Sequence, residues 1–396
     1  MFIQLIIFLV AGILSGIFTG LIPGIHINLI GIFVISSISL FFINPIYLIV
    51  FITAMAITHT FIDFIPSVFL GCPDTDTELS VLPGHELLKK GFGYEAIILT
   101  AYGSLAAIFI LIVIAFPSVF IIPIIFNILN SKKILMAIIL ILFSAILITS
   151  EKRKFQALFV FLLTGFLGWC VLNMNYLKEP LLPLLTGLFG GSMLLISIKN
   201  KIKIPKQKIT KIKIKLFKPL LGALIASPLC SFLPGLGSGQ AAIIGNIITK
   251  TKRKGFLVLL GATNTLVMGF SFISLYAISR TRTGAAVALQ QIIGNLSPKL
   301  LILILTTIII SGIISFFLTI YLAKFFSQKI EKINYTFLSS ITLIILLVIV
   351  FILSGFLGIA ILIASTFTGI YCILLKVKRT NMMGCLLIPT IIYYLI

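Results

Sequence analysis

Acidic side chains are scarce in this chain: nine Asp and Glu stand against 30 Lys and Arg in 396 residues, and charged residues together make up 10%. With 60% hydrophobic residues, so little charge cannot cover the surface of an ordinary soluble protein. No polar stretch is long enough to form a soluble catalytic domain. The five cysteines are odd in number, far apart and without a CxxC pair, so they read as reduced packing residues. No HExxH or GxGD occurs, which removes the usual sequence support for an intramembrane zinc or aspartyl protease. The first apolar run, 2–22, lacks a basic leader and is followed directly by a second, so it reads as a retained helix.

What the chain does have is apolar runs near the roughly 20 residues that a helix needs to cross hydrocarbon. Their number predicts an all-α polytopic membrane protein with about ten to twelve membrane segments. The net charge of +21 is carried by short connectors between those runs, which argues for positive-inside bias and against a nucleic-acid partner. The most basic connector, KNKIKIPKQKITKIKIKLFK at 199–218, holds nine lysines and no acid. It reads as a cytoplasmic linker lying near anionic headgroups, between a first half at 1–198 and a second at 219–396. The clusters at 151–154, 250–254, 324–332 and 376–379 can share its side. Segments 155–177 and 183–198 then pair out and back, as do 334–353 and 356–375. Lys132, Lys133, Lys178 and Lys299 fall on the other side.

The halves resemble each other. TGLIPGIHINLIG at 19–31 and CSFLPGLGSGQAAIIG at 230–245 share Pro-Gly followed by a hydrophobe and a polar or glycine-rich helix start. The first runs on into an uncharged connector and the second into KTKRK, the asymmetry expected of inverted repeats. Segments 219–233 and 236–249 reach only about 22 Å each as helix, so they predict a re-entrant hairpin with its tip at Pro234 and Gly235. Gly237 and Ser238 would open its second arm with free N–H groups. Pro23, Gly24 and His26 are the corresponding positions of the first half.

All three histidines and six of the nine acids lie in the first 95 residues. His59 and Asp63, four apart, share a helix face ending near Pro66. Two functional readings stand open for them: a proton or cation relay, or a metal site completed by His26 or His85. A self-satisfied structural pair is the third. Asp74, Asp76 and Glu78 alternate with threonines and offer oxygen ligands to a coupling cation, or else cap the next helix. In the second half Arg280 and Arg282 alternate with Thr281 and Thr283. These arginines either pair with the acids as a gate or clamp an anionic group. Asn264 and Gln240 are buried polar candidates, read first as helix–helix hydrogen bonds.

GIFTGLIPGIH, FIPSVFLGCPDT and LPGHELLKKGFGYEAI together resemble the TctA family, the large membrane subunit of tripartite tricarboxylate transporters. Pro23, Gly24, Pro66, Pro73, Thr75, Gly84, Leu87, Lys89, Lys90 and Gly91 fall at matching places, as do Pro234, Gly235 and Gly237. The resemblance implies an ion-coupled secondary transporter built from two inverted repeats, working with a small membrane subunit and an extracytoplasmic binding protein, without a cofactor. The chain departs from the family at Asp74, Asp76, Glu78 and His85 and in its Arg-Thr-Arg-Thr run. Those acids would repel a tricarboxylate unless a cation intervened. The expectation is therefore a carrier of a small polar or anionic solute, coupled to H+ or Na+, with hairpin tips and arginines as substrate contacts and Asp63, Asp74, Asp76 and Glu78 as ion ligands. A lipid-phosphate translocase and an intramembrane metalloenzyme are the alternatives.

Overall fold

The computed structural model describes residues 2–22, 44–71, 77, 79, 81–131, 133–174, 176, 177, 179–200, 204–209, 212, 214–233, 236–332 and 334–396. Among them every regular element is helical. In chain order these are α1 (Phe2–Leu21), α2 (Pro45–Ile62), α3 (Phe64–Phe69), α4 (Val81–Lys89), α5 (Gly93–Ser131), α6 (Lys133–Thr149), α7 (Lys154–Leu172) and α8 (Leu181–Lys199). The second half supplies α9 (Phe217–Phe232), α10 (Ser238–Thr249), α11 (Arg253–Ile278), α12 (Gly284–Ile293), α13 (Pro298–Lys329), α14 (Tyr335–Leu374) and α15 (Gly384–Leu395).

Local sequence sets several of these boundaries. Asn44 precedes Pro45 and accepts the Ile46 N–H at 3.0 Å, and Ser297 precedes Pro298 and accepts the Leu300 N–H at 3.4 Å. A polar cap followed by proline, whose missing N–H costs nothing in the first turn, is a strong helix start. Pro66 has no N–H to offer the Ile62 carbonyl, and the helix breaks three residues earlier, at Asp63. The sequence placed that end near Pro66, three residues further on. Instead Pro66 lies inside the short α3.

Eight helices among the described residues are long and apolar enough to cross a membrane, and three shorter apolar helices accompany them. This is a multi-pass membrane protein. Ten to twelve segments were expected, and part of the difference lies in α14. Its backbone turns at Gly355 (φ 62°), and a Cβ on Gly358 would stand 3.2 Å from Cγ1 of Val350. Eight residues of straight helix would separate those positions by about 12 Å. The chain therefore folds back there into two arms. Exposed Val113, Phe116, Phe155 and Phe356 coat the outside.

Glycine contacts give the helix directions. Gly12, Gly16 and Gly20 of α1 lie against Phe51, Met55 and Ile62 of α2 in that order, so the two run parallel. Helices α9 and α11 are also parallel: Pro219 adjoins Gly255, and Ser231 meets Ser274 at 3.1 Å. Helix α5 runs alongside α11 in the same sense, since Gly103 fits against Val258 and Ala262, and Leu111 against Gly269. Helix α13 follows α2, with Ser315 donating to Thr58 at 2.9 Å and Phe326 beside Phe69. It opposes α5, where Phe316 meets Tyr102 and Gly312 meets Ile108. It follows that α2 and α11 point in opposite directions. They are also the most enclosed of the spanning helices.

One end of the bundle collects the basic connectors. There Arg253 pairs with Glu86, Lys254 with Glu95 at 2.6 Å, and Lys378 with Glu151 at 3.3 Å. The described part of the 199–218 linker docks at the same end: Gln207 accepts the Gly93 N–H at 2.8 Å and donates to the Leu88 carbonyl at 3.1 Å.

Candidate functional site

The α2–α11 crossing is lined with polar groups. Asp63, 1% exposed, accepts from the Asn264 amide at 2.8 Å, and that amide also reaches the Thr60 carbonyl at 3.4 Å. One helix turn earlier, His59 Nε2 stands 4.0 Å from the same carboxylate oxygen. Its Nδ1 lies 3.0 Å from the Thr19 hydroxyl on α1. Thr60 and Thr265 hydroxyls meet across the crossing at 3.2 Å. An ionisable side chain at such depth costs about 3 kcal/mol on insertion scales and needs polar company. Here it is supplied by three helices from both halves.

The local reason for this placement is the break at Asp63. The N–H of Asp63 still donates to the His59 carbonyl at 3.0 Å, while its own carbonyl accepts the Ser67 hydroxyl at 3.0 Å. Ser67 meets the hydroxyl of buried Thr77 at 2.6 Å, which ties the segment after α3 back to the break.

From Asn264 the polar face of α11 continues through Ser271 and Ser274 to Ser231 on α9. Beyond lies the tip of the α9–α10 hairpin. Its arms touch at two glycines: a Cβ on Gly222 would stand 2.7 Å from the Gly245 carbonyl oxygen, and the reverse holds. At the tip the Gly237 N–H donates to Gln240 Oε1 at 2.7 Å. A Cβ on Gly237 would crowd Arg282 Nη2 at 3.0 Å, so a glycine is what lets the guanidinium approach the backbone here. Arg282 Nη1 also donates to the Cys230 carbonyl at 3.4 Å. Gln240 Nε2 is buried without a hydrogen-bond partner among the described residues, a donor left over beside the first turn of α10.

The two arginines read as one motif in the sequence separate in space. Arg282 turns to the hairpin tip, whereas Arg280 is exposed and lies over the Phe126 ring at 5.3 Å. Ser238 is buried in the first turn of α10. Pro23, Gly24, His26, Asp74, Asp76, Glu78, Pro234 and Gly235 lie outside the described residues. So does the question of whether the acids face the arginines.

His85 does not join His59 and Asp63. It sits in α4, outside the spanning helices, with Nδ1 3.1 Å from the Val68 carbonyl. Burial, then the charges of Lys89 and Arg379, push its pKa down to about 4 despite that hydrogen bond. Among the described residues no three His, Cys, Asp or Glu side chains gather as metal ligands. Arg379 had no special mark in KVKR, yet it is buried and donates to the Phe189 carbonyl at 3.2 Å and to the Ser192 hydroxyl at 3.0 Å. Desolvation lowers its pKa to about 10. It lines a recess of about 700 Å³ at the basic end, with Glu86, Glu151, Asn246, Arg253 and Lys378.

The sequence matches the model of the tripartite tricarboxylate transporter TctA family over residues 6–384. An uncharacterized protein of Methanocaldococcus jannaschii is 34% identical over 404 residues, covering 98% of this chain and 99% of that one. No solved structure matches.

Proposed function

The chain belongs to the TctA family of tripartite tricarboxylate transporters, and from that premise we propose that it is a secondary active transporter of small carboxylate-type anions, driven by H+ or Na+. The observation that carries this reading is the Asp63–Asn264 hydrogen bond between the two most enclosed helices, one from each half. A neutral amide orients the carboxylate without neutralising it. Asp63 is thus the group we assign to the coupling ion, with His59 as the adjoining proton-accepting site. The substrate's anionic group goes to the other end of the polar face, where Gly237, Ser238, Gln240 Nε2 and Arg282 offer a helix N-terminus, a donor and a fixed guanidinium.

Alternating access follows from pairing units that run in opposite directions. The parallel pairs α1/α2 and α9/α11 have closely similar spacing: Thr19 meets His59 and Ser231 meets Ser271 and Ser274. These relations support an inverted repeat, with α9–α10 as a re-entrant hairpin. The recess beside Arg379 is the mouth we assign to the basic, cytoplasmic face. Members of the family normally work with a small membrane subunit and a binding protein, and the same partners are proposed here.

Purified protein in proteoliposomes tests the reading. Uptake of di- and tricarboxylates should require an imposed Na+ or pH gradient and be abolished by Asp63→Asn, with the variant still monodisperse. Gradient-dependent uptake retained in that variant would remove Asp63 from coupling. Thermal stabilisation that ignores carboxylates and ions but follows polyprenyl phosphates would favour a lipid-phosphate translocase instead.

A further inference from the structure

A second recess, of about 910 Å³, lies where the linker enters α9 and α10 hands over to α11. Its rim carries Lys215, Lys218, Lys250 and Lys252, together with Arg253 and Lys254, and no acid among the described residues lines it. Arg253 and Lys254 are already engaged by Glu86 and Glu95. The other four cations also line the recess, together with apolar Leu99 and Val258. The rim is held in shape. Lys250 takes a left-handed conformation (φ 48°), and Thr251 donates to the Asn246 side chain through both its N–H, at 3.0 Å, and its hydroxyl, at 2.6 Å.

A free anion would use only the rim, but the apolar surface does not stop there. Phe217 at the mouth is 80% exposed, and Leu221 and Ile225 continue outward along the same face of α9 at four-residue spacing. A cationic recess joined to an apolar stripe on a spanning bundle is complementary to an amphiphile with a phosphate head. We propose that the recess binds the headgroup of an anionic phospholipid, one acyl chain lying along Phe217, Leu221 and Ile225. The bound lipid bridges the linker, the first turn of α9 and the α10–α11 junction, and so holds the hairpin's base to the first half through the linker. This site lies apart from the Asp63–Arg282 polar face, although Lys250, Thr251 and Arg253 also border the recess assigned as the mouth, and it does not depend on the solute carried.

Native mass spectrometry of the full chain tests it, using dioleoyl phosphatidylglycerol, dioleoyl phosphatidylcholine and soluble glycerol 1-phosphate as probes. The phosphatidylglycerol adduct should persist on the wild type while phosphatidylcholine does not bind. Lys218→Gln/Lys250→Gln/Lys252→Gln should weaken the adduct roughly 100-fold, at about five-fold for each lysine at a membrane surface. The control Lys199→Gln/Lys206→Gln/Lys208→Gln removes the same charge from exposed linker positions outside the recess and should leave it unchanged. The single change Lys252→Glu, at an exposed side chain, should also weaken it and guards against a misfolded triple variant. Equal weakening by both triples would reduce the effect to diffuse surface charge. Equal binding of phosphatidylcholine, or displacement by glycerol 1-phosphate as effective as by lipid, would overturn the proposal.

Discussion

Two buried ionisable residues lead to different expectations. Asp63 has a polar partner from the other half, so Asn264→Ala should lower stability by about 1–3 kcal/mol, the cost of a buried acceptor losing its donor, read as a drop in melting temperature in detergent. Asp63→Asn should be far milder for the fold but remove the ion dependence of ligand-induced stabilisation. His85 is held neutral. Its pKa is about 4 in the folded protein and 6.5 when unfolded, so between those values the unfolded chain binds the extra proton. Its contribution to stability is intact above pH 6.5 and declines as pH falls toward 4, by roughly 3 kcal/mol in full. His85→Gln should flatten that part of the melting-temperature profile against pH. An unchanged slope would place the titrating group elsewhere.

At the scale of elements, glycine decides which helices approach. A Cβ on Gly261 would overlap the Thr100 carbonyl oxygen, and one on Gly103 the Val258 carbonyl oxygen. Backbone cannot yield as a side-chain end can, so Gly261→Val should cost more than the usual 1–3 kcal/mol of core overpacking. It should eliminate the monodisperse peak in size exclusion. Gly294→Ala is a different case: nothing lies within 4 Å of its Cβ position, but its φ of 72° strains any side chain, and the loss should stay near 1 kcal/mol. The same reasoning explains α9–α10. Its arms are about 24 and 18 Å long, and the Gly222–Gly245 contact lets them close into a hairpin.

For the whole molecule, the halves suggested by the 199–218 linker do not have separate interiors. One apolar core runs from Ile49 to Tyr394, and α5 lies flush against α11 across the division. A chain cut within the linker should therefore yield no monodisperse product from either half expressed alone, while co-expression of 1–209 with 210–396 should restore a complex that co-purifies. Independent folding of either half would contradict this. The three ion pairs at the basic end also each join the first half to the second. Their exposed cations make each worth at most about 1 kcal/mol, which suits a contact that has to part.

The sequence by itself determined the membrane class, the helical content, the basic end and the family, because hydrophobic run length, connector charge and the Pro-Gly and Lys-Lys-Gly frames are local properties of the chain. It also singled out His59, Asp63 and Arg282. It could not say that Asp63 meets Asn264, residues 201 positions apart whose types alone favour no partner. Nor could it distinguish Arg379 from the solvated lysines beside it, or divert Arg280 from Arg282. Those choices belong to the tertiary structure. Side chains at low dielectric settle on whatever donor or acceptor the opposed helices bring within reach, and close glycine packing, not the local motif, fixes which helices those are.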